Sequence, residues 1–209
     1  ANESWIPAAQ TYAIAHPKTL LFHEDARELF QRLLDGEGCL PSRGEIDLIA
    51  GGPPCQGFSG YNRYRNAKDP RNSLVEVFLD FIDELKPRYV LLENVPGMLS
   101  TSNGQVVETV LSVLNKFGYK TKLGILQAGY YGLPQNRWRV FIFATVHNSQ
   151  LPNFPKPTHL FQRTSIFGAT KYRSSVVKPP TAPNLFWQPL PKVTVGDAIS
   201  DLPHIKNGG

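Results

Sequence analysis

The stretch "IDLIAGGPPCQGFSG" (46–60) decides how the chain is read. A short apolar run, "IDLIA", enters two glycines and two prolines, which interrupt regular structure. It therefore reads as a buried strand that ends in a loop, with Cys55 at the mouth of that loop. A thiol attacks only as the thiolate, and free backbone N–H groups near helix N-termini favour that charge. Pro53 and Pro54 stiffen the approach, whereas Gly57 and Gly60 suit a loop that moves. On this context alone an inert, buried cysteine is the competing reading.

Working outward, strands and helices alternate. "TLLF" (19–22) reads as a buried strand, and "EDARELFQRLLDGEG" as a helix with a glycine stop. After the cysteine loop, "SLVEVFLDFIDELKP" has helical spacing, Ser73 as its N-cap and Pro87 as its stop. "YVLLENV" (89–95) is a strand, "GQVVETVLSVLNKFGY" a helix, and "KTKLGILQ" and "RVFIFATV" are two further strands around "AGYYGLPQNRW". A short helix in "WIPAAQTYAIAHP" precedes them all. The alternation predicts an α/β fold with a largely parallel sheet covered by helices on both faces. In such sheets ligands sit beyond the carboxyl ends of the strands, which is where "GGPPC" and "ENV" fall.

From about His147 the texture changes. Eight of the 18 prolines fall in 151–192, and periodicity fades until "TVGDAISDLP" (194–203) regains helical character. Residues 1–146 are expected to form a catalytic core. Residues 147–209 are expected to form a proline-rich segment leading toward a second module.

The chain has 209 residues, 41% hydrophobic and 19% charged, enough for one sizeable core. No apolar run approaches the ~18–20 residues that span a bilayer, and no secretory leader pattern opens the sequence, so neither a membrane nor a secreted protein is expected. Two cysteines and five scattered histidines give no zinc spacing and no disulfide framework, so no metal is expected and a reducing compartment is. A net charge of +5 is compatible with a polyanionic partner but does not single one out.

Two more motifs bear on chemistry. Glu93 closes an apolar strand, where a carboxylate is costly unless it is paired or used as an acid. Arg137 and Arg139 in "QNRWR" are two apart at the start of a strand, so both point to one face, where they can orient a carboxylate or bind an oxygen. Read singly, a salt-bridged strand end and solvated strand charges explain these residues as well.

Together, "PPCQGFS", "LLENVPGML" and "YYGLPQNRWRVFIFA", in this order and spacing, resemble the DNA cytosine-5 methyltransferases, and the similarity runs over nearly the whole chain. "PAAQTY", "FHEDA", "GILQAGYYGLPQNRWR" and "VTVGDAISDLP" look closest to the eukaryotic maintenance-type branch. The resemblance implies a Rossmann-like S-adenosylmethionine-dependent methyltransferase sheet. It implies that Cys55 adds to C6 of a cytosine flipped out of DNA, that Glu93 serves the N3/N4 edge, that Arg139 holds O2 and that Arg137 braces Glu93. It also implies a cofactor site for S-adenosyl-L-methionine: Glu3 for the ribose hydroxyls, Trp5 near the adenine, Asp25 and Ala26 at the adenine, and Pro54 and Leu74 as further contacts. Residues 57–72, basic at Arg63, Arg65, Lys68 and Arg71, are expected to form a mobile loop that closes over the base.

The family's opening glycine-rich motif, most of its target-recognition region and its two closing motifs have no match here. The chain is thus expected to be a catalytic domain incomplete at both ends, poor at binding the cofactor and unable to transfer methyl groups alone. The resemblance further implies a nuclear parent protein. Cytosine methylation of transfer RNA is one alternative, which "GGPPCQGFSG" and "SDLP" disfavour. A catalytically dead scaffold that binds nucleic acid is another, disfavoured because cysteine, glutamate and arginine pair are all intact.

Overall fold

In "YVLLEN" every second residue is buried, and a helix with a matching apolar stripe lies on each side of it in sequence; the tertiary fold stacks these elements. The computed structural model describes residues 1–55, 73–161, 170–179 and 188–203. Helices α1 (Ile6–Ala15), α2 (Ala26–Leu34), α3 (Leu74–Leu85), α4 (Gln105–Lys116) and α5 (Val195–Ile199) accompany strands β1 (Leu48–Gly51), β2 (Tyr89–Asn94), β3 (Tyr119–Gln127) and β4 (Trp138–Val146). The sheet order is β1-β2-β4-β3.

The α/β class holds, but the sheet is not largely parallel. β1 and β2 are parallel, whereas β4 runs antiparallel to both β2 and β3. The cause is the connection: the ten-residue loop between β3 and β4 holds no crossover helix, and a short loop returns the chain antiparallel. β4 then wedges between β2 and β3. "TLLF" is a second departure. Only Phe22 makes a bridge, to Asn2, and Leu20 is exposed. Its backbone zips onto the N-terminal residues instead: Phe22 N–H donates to Ala1 O, and Glu3 N–H to Phe22 O.

One face of the sheet is the core. Val90, Leu92, Ile125, Val140, Ile142 and Ala144 pack there against Val75, Leu79 and Ile82 of α3 and Val106, Val110 and Leu114 of α4. Burying each of the Val, Leu and Ile side chains there stabilises the fold by about 1.5–3 kcal/mol. α3 begins in a full capping box: Glu76 N–H donates to Ser73 Oγ at 3.3 Å, and Ser73 N–H donates to Glu76 Oε2 at 2.7 Å. It ends at Lys86, whose left-handed φ of 48° stops the helix just before Pro87.

The proline-rich segment folds back over the core at several points. Phe154 stacks on Phe143 at 5.1 Å and lies directly on Gly124, where a Cβ would come within 2.4 Å of its ring. Phe161 sits on Gly129 in the same way. Val176 bridges Ile125, and Tyr172 and Val176 pack against the core. α5 carries its own capping box, Thr194 with Asp197, and is exposed. Among the described residues no helix is long and apolar enough to cross a membrane, and no cluster of His, Cys, Asp and Glu is placed to hold a metal.

Candidate active site

The carboxyl ends of β1 and β2 lie side by side because the strands are parallel and in register, Gly51 against Leu92. The chain leaving β1 therefore passes the end of β2. Gly52 lets it do so closely: a Cβ there would stand 3.1 Å from Glu93 Oε2. Asn94 fixes the approach, its Nδ2 donating to Pro53 O at 2.8 Å while its Oδ1 accepts from Val95 N–H. Cys55 follows, half-buried and packed against the core.

β4 starts at this same edge because it runs the other way. Glu93 faces Phe141, so Arg139, two residues earlier on that strand, is its diagonal neighbour on the same face. Arg139 Nε lies 2.8 Å from Glu93 Oε1. The contact is an ion pair, with Nε–H not aligned on the carboxylate, so among the described residues this buried nitrogen forms no hydrogen bond. Nη1 donates to Trp138 O at 2.8 Å. The arginine beside Glu93 is thus Arg139, not Arg137. Arg137 precedes the strand, is exposed, and among the described residues forms hydrogen bonds through its backbone alone.

A cleft of about 630 Å³ opens next to this edge, well within the range of small-molecule sites. Glu3, Asp25, Ala26, Pro54 and Leu74 all line it, together with Phe22, Gly52 and Phe78. Two carboxylates and aromatic walls suit a ligand with hydroxyls, an exocyclic amine and a flat base, so these residues fit S-adenosyl-L-methionine. Each acid already has a local bond. Glu3 Oε1 accepts from Trp5 N–H at 2.8 Å; Asp25 caps α2 by accepting from Arg27 N–H and pairs with the Arg27 guanidinium at 3.1 Å. Trp5 departs from the expectation. It is 68% exposed and lines a separate shallow groove with Tyr12 and His16, because the chain turns into α1 at this residue.

The closing loop expected at 57–72 lies outside the described residues. Asn94, Phe22 and Phe78 join the site from the structure and not from the sequence motifs. Asn94 stands inside "ENV" and could have been found there; an aromatic on a helix carries no signal of which cavity it borders.

With this geometry in place, comparison with known proteins is decisive for the family. Residues 1–186 match the sequence family described as C-5 cytosine-specific DNA methylase. The chain belongs to that family. It is 38% identical over 221 residues to DNA (cytosine-5)-methyltransferase 1 of Gallus gallus, covering 100% of this chain and 14% of that protein. It is 43% identical over 172 residues to DNA (cytosine-5)-methyltransferase CMT2 of Arabidopsis thaliana, covering 80% of this chain and 13% of that one. Among solved structures, a putative DNA modification methyltransferase encoded within a prophage of E. coli is similar, at a TM-score of 0.60 and 25% identity, over 98% of this chain and 48% of that one. A Spodoptera frugiperda DNMT2 mutant shares the fold, at a TM-score of 0.55 and 22% identity, over 81% of this chain and 48% of that one. The chain thus spans about one seventh of the animal relative's length. The family's methyl donor is S-adenosyl-L-methionine.

Proposed function

We propose that the parent protein methylates carbon 5 of cytosine in DNA by a covalent route, with Cys55 as nucleophile. The observation that carries this reading is the Glu93–Arg139 pair beside the Gly52–Cys55 loop, at the edge that also borders the cofactor cleft. Carbon 5 of cytosine is a poor nucleophile until the ring gains electron density. The Cys55 thiolate adds to C6, forming the S–C6 bond, while Glu93 holds the N3/N4 edge and stabilises the proton at N3. S-adenosyl-L-methionine held in the cleft would supply the methyl carbon, which C5 takes as the bond to the sulfonium sulfur breaks. Loss of the C5 proton then expels the thiolate and restores the aromatic ring.

Arg139, held at this edge by its ion pair with Glu93, carries the donors that a cytosine O2 would accept from. Glu3 serves the ribose hydroxyls and Asp25 the adenine amine. A cytosine stacked in a duplex cannot reach these groups, so it flips out at a cost of about a few kcal/mol. Relatives in animals and plants support a nuclear protein.

The test is a duplex carrying 5-fluorocytosine, whose C5 substituent cannot leave as a proton, presented to the full-length parent with S-adenosyl-L-methionine. A denaturant-stable adduct is expected with DNA. Adduct with transfer RNA in place of DNA would move the substrate to RNA, and none with either would leave a non-catalytic scaffold.

A further inference from the structure

Gln127 ends β3, faces Trp138 across the ladder and is fully buried. An amide taken wholly out of water is costly unless its donors and acceptors are met. Here three bonds meet them. Oε1 accepts from Gly129 N–H at 3.2 Å and from Arg137 N–H at 3.0 Å; Nε2 donates to Asn136 Oδ1 at 2.7 Å. Backbone N–H groups can only donate, so the oxygen must face them and the amide has one orientation. A single side chain thus ties together both ends of the loop 128–137, and Ala128 N–H closes the same neck on Arg137 O at 2.9 Å.

The proposed reaction uses Arg139 and gives no part to Gln127 or to Arg137, whose exposed side chain stands two residues before Arg139 at the same strand edge. Yet Arg137 lies outside the ladder, and among the described residues its backbone N–H bonds only to Gln127 Oε1 and to Gln135 O. Nothing else among the described hydrogen bonds pins that amide. We propose that Gln127 is a positioning residue, whose buried amide sets the backbone from which Arg137 acts on the nucleic acid. This rests on the reading of the chain as part of a cytosine methyltransferase.

The experiment is a double-mutant cycle in the full-length parent, using Gln127→Met, Arg137→Ala and both together. Single-turnover adduct formation on 5-fluorocytosine duplex is followed beside hydrogen exchange of residues 128–137. Methionine keeps the volume and removes all three bonds. Gln127→Met alone is expected to slow adduct formation by roughly tenfold to a hundredfold, the scale of a small misplacement. In the Arg137→Ala background it should cost less than about twofold, because the two act as a unit. Amides of 128–137 should exchange faster while those of β2 do not change. Full additivity, or unchanged exchange in the loop, overturns the proposal. Should Gln127→Met not fold, Asn136→Ala at its exposed position takes its place in the cycle, with a smaller slowing expected and the same non-additivity required. A wild-type parent that forms no adduct at all would instead sink the functional reading, and this inference with it; an active wild type with an additive cycle sinks the inference alone.

Discussion

Arg139 Nε stands 2.8 Å from Glu93 Oε1, joining two strands that run in opposite directions. Glu93→Gln removes the negative charge that meets the guanidinium and that the proposed chemistry places at the cytosine N3. In the full-length parent it should slow adduct formation at least about a hundredfold, the usual scale for losing a general acid or base. Arg139→Lys keeps the charge without the planar fork and should cost about tenfold. Rapid-quench kinetics on fluorinated duplex measures both, and wild-type rates in Glu93→Gln would remove the carboxylate from the chemistry.

Cys55→Ser changes one atom at a half-buried site. The adduct should vanish completely while the melting midpoint moves by no more than about 2 °C. A denaturing gel and a thermal scan on the same sample separate lost chemistry from lost fold.

Asp25 caps α2 and lines the cofactor cleft, and two variants tell these roles apart. Asn caps a helix as well as Asp does, so Asp25→Asn should leave melting nearly unchanged. It should weaken S-adenosyl-L-methionine about tenfold by calorimetry on the parent. Asp25→Ala should do that and also cost about 1 kcal/mol of stability. Equal cofactor affinity in all three proteins would confine Asp25 to capping.

Gly124 has no room for a side chain beneath Phe154. Gly124→Ala should destabilise the domain by about 1–3 kcal/mol through overpacking. Adding Phe154→Ala should return part of that loss, since the clash disappears with the ring. Denaturant melts of the two variants decide it, and equal destabilisation in both would mean that the strap does not seat on the sheet.

Tyr119 is 1% exposed and its hydroxyl donates to Pro87 O at 2.6 Å. Burial, with the nearby Asp83 carboxylate, pushes its phenol up to about 12 from an ordinary 10.0. The unfolded chain releases this proton first, so the neutral form's contribution is complete below about pH 10. It is lost as pH rises toward about 12, on the order of 3 kcal/mol in all. Tyr119→Phe should be about 1 kcal/mol less stable at neutral pH and should show a shallower alkaline decline. Parallel slopes for the two proteins between those limits would refute the assignment.

Local signals are legible in the sequence alone. The cap at Ser73, the helical stripes of α3 and α4 and the apolar run in "YVLLEN" depend on residues within a few positions of one another. "TLLF" misleads because an apolar tetrapeptide announces a strand without supplying its neighbours. Glu3 and Asp25, which line the cleft, stand in "NESW" and "HEDA", yet Trp5 beside Glu3 sits elsewhere, since one turn of backbone redirects a side chain.

What the sequence determined by itself was the set of elements and the family: strand, loop, cysteine, "ENV" and arginine pair in a fixed order. What only the tertiary structure decided was who stands beside whom. A period of two states which face a side chain takes, and nothing about the strand that will lie next to it. The order β1-β2-β4-β3, the Arg139 partner of Glu93 and the burial of Gln127 all follow from long-range pairing, whose register is set by packing over the whole sheet.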